Sequence, residues 1–543
     1  MSGNANLGTE LLVIGAGPAG LGAATEAAAR GVRVLVVDEN DRPGGQLYKQ
    51  IHKFFGSAEH QAGTRGFRIA ESLVSAARAA GTDIWPGHRA IGVLRDGRMV
   101  LASGHSARAV RAQRIVIATG GRERALPFPG WTLPGIMTAG AAQTLCNIHR
   151  ILPAKRGLMV GSGNVGLIVA YQLLQAGMDV AGIVEVRDRA GGYQVHEGKL
   201  RRHGIPFFTT HRVVEAYGDS RLSAVRLASL DGSHSTTIAV DGLFLAVGLN
   251  PSRELATMLG CQFGWESSLG GACPLHDAMM RSSVAAVYVA GDAAGIEEAN
   301  TSLDEGRLAG IAVAADLGKI AASEALRDAT IIQERLIALR SGIHGTTRLE
   351  AKQRLTLGAS PISAMLPDDS RPPKPPGPLI PPRPPGPPAG PILALARRLG
   401  HAIPRINCPE TIPCNPCVTV CPAAAISMVG ICGIPHLDPE RCTGCMQCAA
   451  ICPGQAIFMI GPASRTDQSS VALARVTVPW EHLPTPQHGE RVVLFDRSGK
   501  QLGLGTVSAV ILTAAYDRTR LVTLTVPQEY AETVESFGRT ADA

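Results

Sequence analysis

Short apolar runs that end in glycine punctuate the first half of this 543-residue chain. Leu11-Leu12-Val13-Ile14 enters Gly15-Ala16-Gly17-Pro18-Ala19-Gly20, an alanine-rich stretch follows, and Val32-Arg33-Val34-Leu35-Val36-Val37 then closes on Asp38. Unbroken apolar runs of this length predict buried strands, and the alanine-rich stretch predicts the helix between them. The pattern repeats: Gly157-Leu158-Met159-Val160, then Gly161-Ser162-Gly163-Asn164-Val165-Gly166, a helix to about Ala176 and a strand ending at Glu185. Three more strands are predicted. Arg114-Ile115-Val116-Ile117 runs into Ala118-Thr119-Gly120-Gly121, Asp241-Gly242-Leu243-Phe244-Leu245-Ala246 has the same form, and Val287-Tyr288-Val289-Ala290 ends in Gly291-Asp292 before a helix around Glu305–Asp316.

The pattern changes near residue 320. Residues 320–342 alternate as an amphipathic helix. Residues 367–391 are nearly all proline, glycine and a few charges, which predicts a semi-stiff solvated spacer and not a helix or interior strand. Towards the C-terminus, Val471–Val478, Arg491–Phe495, Leu502–Leu512 and Leu521–Val526 read as strands between turns, with a short helix from Gln528 to Phe537. They predict a separate small β-rich unit without a catalytic constellation. The expected division is 1–150 and 256–345 for one nucleotide-binding domain, 151–255 for a second inserted in it, 346–400 for the linker, 401–462 for a cysteine-rich domain and 463–543 for the β-rich unit.

The glycine spacing carries chemistry. In Gly-x-Gly-x-x-Gly after a strand and before a helix, the first glycine allows the tight turn and the second lets backbone amides approach a pyrophosphate. The third lets helix pack on strand. Gly15, Gly17 and Gly20, with Pro18 and Ala19 between, form one such loop, and Asp38 ends the next strand where a ribose hydroxyl would sit, Glu39 being the competing acid. Gly161, Gly163 and Gly166, with Asn164 and Val165, form the other, paired with Glu185. An acid at that place favours NAD over NADP, although Arg187 and Arg189 just beyond could instead meet a 2′-phosphate.

Nine of the twelve cysteines lie within residues 408–453. Cys442-x2-Cys445-x2-Cys448-x3-Cys452-Pro453 is the complete spacing of a bacterial ferredoxin run, and Cys414-x2-Cys417-x3-Cys421-Pro422 is the same run without its first cysteine. Because the fourth cysteine of each run ligates the other cluster, two [4Fe–4S] clusters are expected. Cys408, Cys414, Cys417 and Cys452 would hold one, and Cys442, Cys445, Cys448 and Cys421 the other. Cys432 is the alternative to Cys408. Zinc is the competing metal for paired Cys-x-x-Cys, but the phase of the runs and the trailing prolines are not zinc-knuckle features.

Composition narrows the partners. Aromatic content of 4% argues against stacking platforms for single-stranded nucleic acid, and the net charge of +7 is spread along the chain and not gathered in a block. No apolar run approaches the length of a membrane span. The N-terminus enters a strand at once, without the features of a secretion signal, and clustered thiols fit a reducing compartment, so a cytoplasmic protein is expected. Cys146, Cys261 and Cys273 form no redox pair and are expected to be packing residues. His52, His196, His276 and His436 stand in no catalytic motif.

Residues 8–320 resemble the two-dinucleotide-binding-domain flavoproteins, the superfamily of pyridine nucleotide–disulfide reductases. The resemblance implies an α/β fold of two Rossmann-like domains, FAD on the first loop and NAD(H) on the second, with the NAD(P) domain inserted in the FAD domain. An α+β dicluster ferredoxin domain and the small β-rich module then complete the chain. It also implies that Asp292, after Gly291, bonds the ribityl chain of FAD, that Ala118-Thr119-Gly120 marks a crossing between the two domains, and that the following helix points its N-terminus at the flavin, with Glu297, Glu298 and Asn300 nearby. Pro43-Gly44-Gly45-Gln46 is similar to the loop of the flavin-binding α subunits of amino-acid, opine and proline dehydrogenases, which implies that Gly44, Gly45 and Gln46 lie along FAD. Those subunits commonly carry a [2Fe–2S] domain; a dicluster module stands here instead.

The expected protein is an FAD-dependent iron–sulfur oxidoreductase. It would be an oligomeric subunit of an amino-acid or amine dehydrogenase, partnered by a small redox protein and by a second flavoprotein subunit, with no nucleic acid bound. A stand-alone NAD(P)H–ferredoxin-type reductase and a non-catalytic subunit holding a structural adenine nucleotide are the alternatives. No proton-transfer residue is assigned, because hydride transfer between stacked nicotinamide and flavin rings requires none.

Overall fold

A computed structural model describes residues 7–357, 391–463 and 472–539. Its first sheet is doubly wound. Asp83–Trp85, Val34–Val37, Leu7–Ile14 and Ser106–Ile117 lie side by side and parallel, and Val287–Val289 joins the far edge beside Ile115–Ile117. Every residue of Val34–Val37 is buried, as the unbroken apolar run requires. The helices Pro18–Ala29 and Ala299–Asp316 cross this sheet in close contact. A Cβ at Gly306 would stand 2.0 Å from the Ala19 carbonyl oxygen, and one at Gly310 would stand 2.4 Å from that of Ala23, so glycine sets the spacing of the two helices.

A second parallel sheet is inserted between the strands of the first. Its order is Phe207–Phe208, Asp179–Val184, Arg156–Val160, Gly242–Leu245, Ile136–Thr138. The chain passes between the two units twice, and the two passages, Gly121–Glu123 and Leu249–Pro251, pair antiparallel with each other. Among the described residues no helix is long and apolar enough to cross a membrane.

The C-terminal portion corrects three expectations. First, the β-rich unit is not separate. Ile403–Ile406 and Ile457–Pro462, which flank the cysteine runs, are the first strands of a seven-stranded antiparallel sheet that continues through Leu473–Trp480, Arg520–Pro527, Gln501–Ile511, Arg491–Phe495 and Ser536–Arg539. One core, with Phe458, Ile460, Val476, Leu494, Val507 and Leu524 buried, serves both. Second, residues 528–537 are not a helix. A single 3-10 turn at Gln528–Tyr530 leads to the edge strand Ser536–Arg539, whose Phe537 is needed in that core. Third, the range 346–400 holds two helices. Thr346–Arg354 packs Ala351 with Leu355 against Leu269 and Cys273, and Pro391–Leu399 buries Leu393 and Ala396, its first amides bonded to the Glu532 carboxylate at 3.1 Å. The polyproline segment itself lies outside the described residues. The predicted amphipathic helix is present at Ala322–Leu339, burying Ala325, Ala329, Ile332, Leu336 and Leu339.

The cysteine-rich module sits on both dinucleotide units. Against the first, Asn415 N bonds Gly56 O at 3.1 Å, and Lys53 Nζ donates to Ala450 O, Tyr516 O and Thr519 Oγ1. Against the second, Lys199 Nζ donates to Pro453 O at 2.6 Å, Arg202 reaches Gln455 O at 3.0 Å, and Tyr171 Oη meets Gln455 Oε1 at 2.9 Å. Arg65 pairs with Glu481 at 2.9 Å and Asp517 at 3.4 Å. Burial pushes Lys53 and Lys199 down to about 8. Cations so enclosed are tolerated because each finds carbonyls and the nearby Glu481 carboxylate.

Candidate functional site

Four segments meet at the first glycine loop. Gly15 has φ +104°, and a Cβ there would lie 2.3 Å from the Ala118 carbonyl oxygen, so Ala118 and, with it, Thr119 and Gly120 stand directly behind the turn. Gly44 N bonds Ala16 O at 2.7 Å, and a Cβ on Gly45 would come 2.7 Å from Gly17 Cα. A Cβ on Gly291 would come 2.8 Å from Ala19. Gly20 packs beneath, 1.8 Å from Gly15 O by the same measure, and Pro18 opens the helix Pro18–Ala29. Gln46 follows in the 3-10 turn Gly45–Lys49.

Asp38 is the buried acid of this loop. Its Oδ2 accepts Ala16 N at 2.6 Å and its Oδ1 accepts Asn40 N at 2.8 Å, whereas Glu39 is exposed and paired with Arg89 at 2.8 Å. Asp292 accepts Glu297 N at 3.1 Å, and it is pushed up to about 7, by burial first and then by the neighbouring Glu297, Glu298 and Glu305. A carboxyl that keeps its proton near neutrality can donate to a hydroxyl as well as accept from one. Backbone amides without side chains, an acid at the ribose position and a partly protonated acid beside them fit a flavin dinucleotide.

Residues beyond the sequence motifs fix this cradle. Glu305 accepts Gly291 N at 3.0 Å, and its other oxygen takes Arg340 at 2.6 Å and Lys352 at 2.7 Å. Arg340 also pairs with Glu297, and Lys352 donates to Ala294 O at 3.1 Å. No local motif announces Arg340 or Lys352. The usable signal is an arginine directly after the apolar face of an amphipathic helix. Asn300 is buried at the start of the helix Ala299–Asp316, 3.4 Å from where a Gly56 Cβ would be.

The second loop repeats the first. Gly161 has φ +97°, a Cβ on it would lie 2.3 Å from Ala246 O, and a Cβ on Gly166 would lie 2.1 Å from Gly161 O. Glu185, buried, accepts Ser162 N at 3.1 Å and Arg187 Nε at 3.1 Å, and Arg187 and Ser162 hold it below its usual range against the opposing effect of burial. Around Gly163 no atom lies within 4 Å of a would-be Cβ, and Val165 is exposed. Asn164 Oδ1 takes Tyr193 N at 2.8 Å, and its Nδ2 lies 3.4 Å from Glu298, which precedes the helix Ala299–Asp316.

The thiols line two adjoining cavities. Cys408, Cys414, Cys417 and Cys452 face the first, with Phe55 and Val195 completing its wall. Cys421, Cys442, Cys445 and Cys448 face the second, among Ile426, Leu437 and Met459. Cys432 lines neither; its thiol donates to Ala338 O at 3.4 Å. Burial and then the neighbouring thiols push Cys408 up to about 12, and Cys414 goes the same way. Burial also pushes Cys417 and Cys448 up to about 12. Such sets need a cationic core to become thiolates. Among the described residues no group of three or more Cys, His, Asp or Glu side chains is placed to hold a single metal ion. Sulfurs spread around a cavity fit a four-iron cube.

Of the remaining candidates, His52, His196 and His276 are enclosed and held neutral by burial, with values of about 3 for His52 and about 4 for His276, and His436 is exposed. Cys261 and Cys273 are buried and Cys146 partly so.

Comparison with known proteins agrees with this geometry. The family model of pyridine nucleotide-disulphide oxidoreductases matches residues 9–306, and that of the 4Fe-4S binding domain matches residues 435–458. The chain belongs to the pyridine nucleotide-disulphide oxidoreductases. It is 34% identical over 368 residues to an opine oxidase subunit of Agrobacterium tumefaciens (strain Ach5), covering 63% of this chain and 72% of the relative. It is 31% identical over 373 residues to the HcnB subunit of hydrogen cyanide synthase from Pseudomonas aeruginosa, covering 63% and 79%. With the alpha subunit of sarcosine oxidase from Rhizobium meliloti (strain 1021) it shares 30% identity over 317 residues, 57% of this chain and 31% of that one. The protein is therefore an FAD-dependent oxidoreductase that carries a 4Fe-4S domain, homologous to subunits of opine oxidase, hydrogen cyanide synthase and sarcosine oxidase.

Proposed function

We propose that this oxidoreductase passes electrons between a nicotinamide nucleotide, FAD and two [4Fe–4S] clusters, as one subunit of an amino-acid or amine dehydrogenase. The observation that carries the reading is the seating of the cysteine-rich module across both dinucleotide units, with Phe55 of one and Val195 of the other in the wall of the first four-thiol cavity. FAD, when bound, exchanges electron pairs with nicotinamide and single electrons with iron–sulfur centres.

The chain's own residues do the rest. The amides of the Gly15–Gly20 loop receive the pyrophosphate, Asp38 the adenosine ribose and Asp292 the ribityl hydroxyls. The Gly161–Gly166 loop and Glu185 receive NAD(H), and the approach of Asn164 to Glu298 brings that loop towards the helix end facing the flavin. Partnership with a second flavoprotein subunit is supported by the relatives, each of which is named as a subunit.

Anaerobic purification with iron and sulfide quantitation, followed by NADH titration, tests the reading. Expected are FAD, iron and labile sulfide for two clusters, and bleaching of the flavin band by NADH. Bound ATP or AMP with no bleaching overturns the nicotinamide part. Zinc in place of iron overturns the whole.

A further inference from the structure

The two four-thiol cavities differ in where they lie. The inner one, around Cys408, Cys414, Cys417 and Cys452, is closed partly by Phe55 and Val195 of the dinucleotide units. The outer one is lined wholly by residues of the cysteine-rich module, and Cys445 on its rim is exposed. The two adjoin, since Cys417 of the inner set and Cys448 of the outer set pack in one buried cluster with Ile426 and Ile457.

One short segment connects the inner cavity with the flavin cradle. Phe55 walls the cavity, and Gly56 forms a bridge with Cys414 and accepts Asn415 N at 3.1 Å. On its other side Gly56 abuts Asn300, at the start of the helix Ala299–Asp316 that follows Asp292, 3.4 Å from a would-be Cβ. The segment is pinned there. Ser57 Oγ meets His60 Nδ1 at 2.9 Å, His60 Nε2 meets Asp304 at 3.0 Å, and Asp304, on the same helix as Asn300, also takes Arg335 at 2.6 Å. Among the described residues, no such backbone hydrogen bond runs from the lining of the outer cavity to the dinucleotide units.

We infer that electrons cross between the flavin and the outside in a fixed order, the inner cavity's cluster first and the outer cavity's second, with Phe55–Gly56 as the crossing segment and the Cys445 face as the exit to a one-electron carrier protein. The inference rests on the proposed function. In balance, one NADH yields NAD+, one proton and two electrons; each electron passes singly, and two one-electron carriers are reduced.

Two measurements on the full-length holoprotein test this order. Iron release from the oxidised protein into a chelator should be biphasic. The fast half should come from the outer set and the inner set should lag about tenfold, because attack on a buried site waits for local opening. Single-phase release, or a fast phase assigned to the inner set by EPR of partly chelated samples, overturns the inference. This measurement needs no variant and no NADH, so it reads which cluster is enclosed, the premise of the order, even if the nicotinamide reading fails.

Freeze-quench EPR is the second. In Cys445→Ser, NADH should still generate the inner signal at the wild-type rate. In Cys414→Ser, NADH should leave the outer cluster oxidised although dithionite reduces it. Phe55→Ala, which keeps every thiol, should slow inner reduction by NADH without changing the dithionite spectrum. Wild-type rates of outer reduction in Cys414→Ser, or of inner reduction in Phe55→Ala, overturn the order. If NADH reduces nothing, the same rates are read after photoreduction of the flavin, and the proposed function fails separately.

Discussion

The two glycine loops are built to one plan and finished differently. Each turns on a first glycine near φ +100° whose absent Cβ leaves room for a carbonyl oxygen 2.3 Å away, and each feeds a twelve-residue helix. The first is then covered. Gly44 and Gly45 fold over Gly17, and Gly291 closes on Ala19, so the dinucleotide would be held between three segments. The second stays open at Gly163. Its acid is also different: Asp38 is met by amides and Asn40, Glu185 by amides and, in addition, by the guanidinium of Arg187. The covered loop suits a cofactor that stays, and the open one a nucleotide that exchanges.

Valine at the two first glycines is expected to give the largest effect and to separate the roles. Gly15→Val combines a forbidden φ with a backbone clash, costs about 3 kcal/mol or more, and should yield colourless protein. Gly161→Val should keep the yellow colour and lose NADH binding in calorimetry. Loss of flavin from both would break the comparison.

Glu185→Ala is next. Removing a charged acceptor of a ribose hydroxyl costs about 2 kcal/mol, so NADH affinity should fall at least tenfold while flavin content holds. Equal loss for NADPH and NADH would show that Arg187 and not Glu185 sets the preference.

Asp292 gives a pH test of the covered loop. Its folded value of about 7 lies above the unfolded value of about 4, so the folded apoprotein binds the extra proton between those limits. The group's destabilisation is absent below pH 4, grows as pH rises and is complete above pH 7. Apoprotein carrying Asp292→Asn should therefore be more stable than wild type at pH 8, by on the order of 2 kcal/mol more than at pH 4. A constant difference across that window would mean that the side chain titrates normally.

The smallest effect is expected for Gly163→Ala. Nothing lies in the way of the methyl group, so stability should change by less than about 0.5 kcal/mol. Nucleotide affinity should fall all the same, because the pyrophosphate can no longer approach the backbone.

What was legible in the sequence was local. Strand, glycine turn, helix and acid follow one another within thirty residues in both units, and the cysteine spacing divides the thiols into two sets, one of them open between Cys408 and Cys432. The cavity walls then separated Cys408 from Cys432, which spacing left open. Non-local pairing was not legible. Nothing in Ile457–Pro462 announces that it will pair with Leu473–Trp480 in a sheet that ends at residue 539. The polar helix Thr346–Arg354 reads as linker because its purpose is to carry Lys352 to a buried Glu305 forty-odd positions earlier. Phe55 and Val195 are ordinary apolar residues, and only the fold brings them to a thiol cavity.

The sheet has a further consequence, for biosynthesis. Arg405 and Asn407, immediately before Cys408, are held by Glu535 and by the carbonyl oxygens of Glu532 and Val534. The first thiol of the inner set is thus not positioned until the chain through Glu535 has been made. Iron loading of that set would then have to follow synthesis of residues 532–535, and a nascent chain stalled before residue 532 would present its thiols to the cell unarranged.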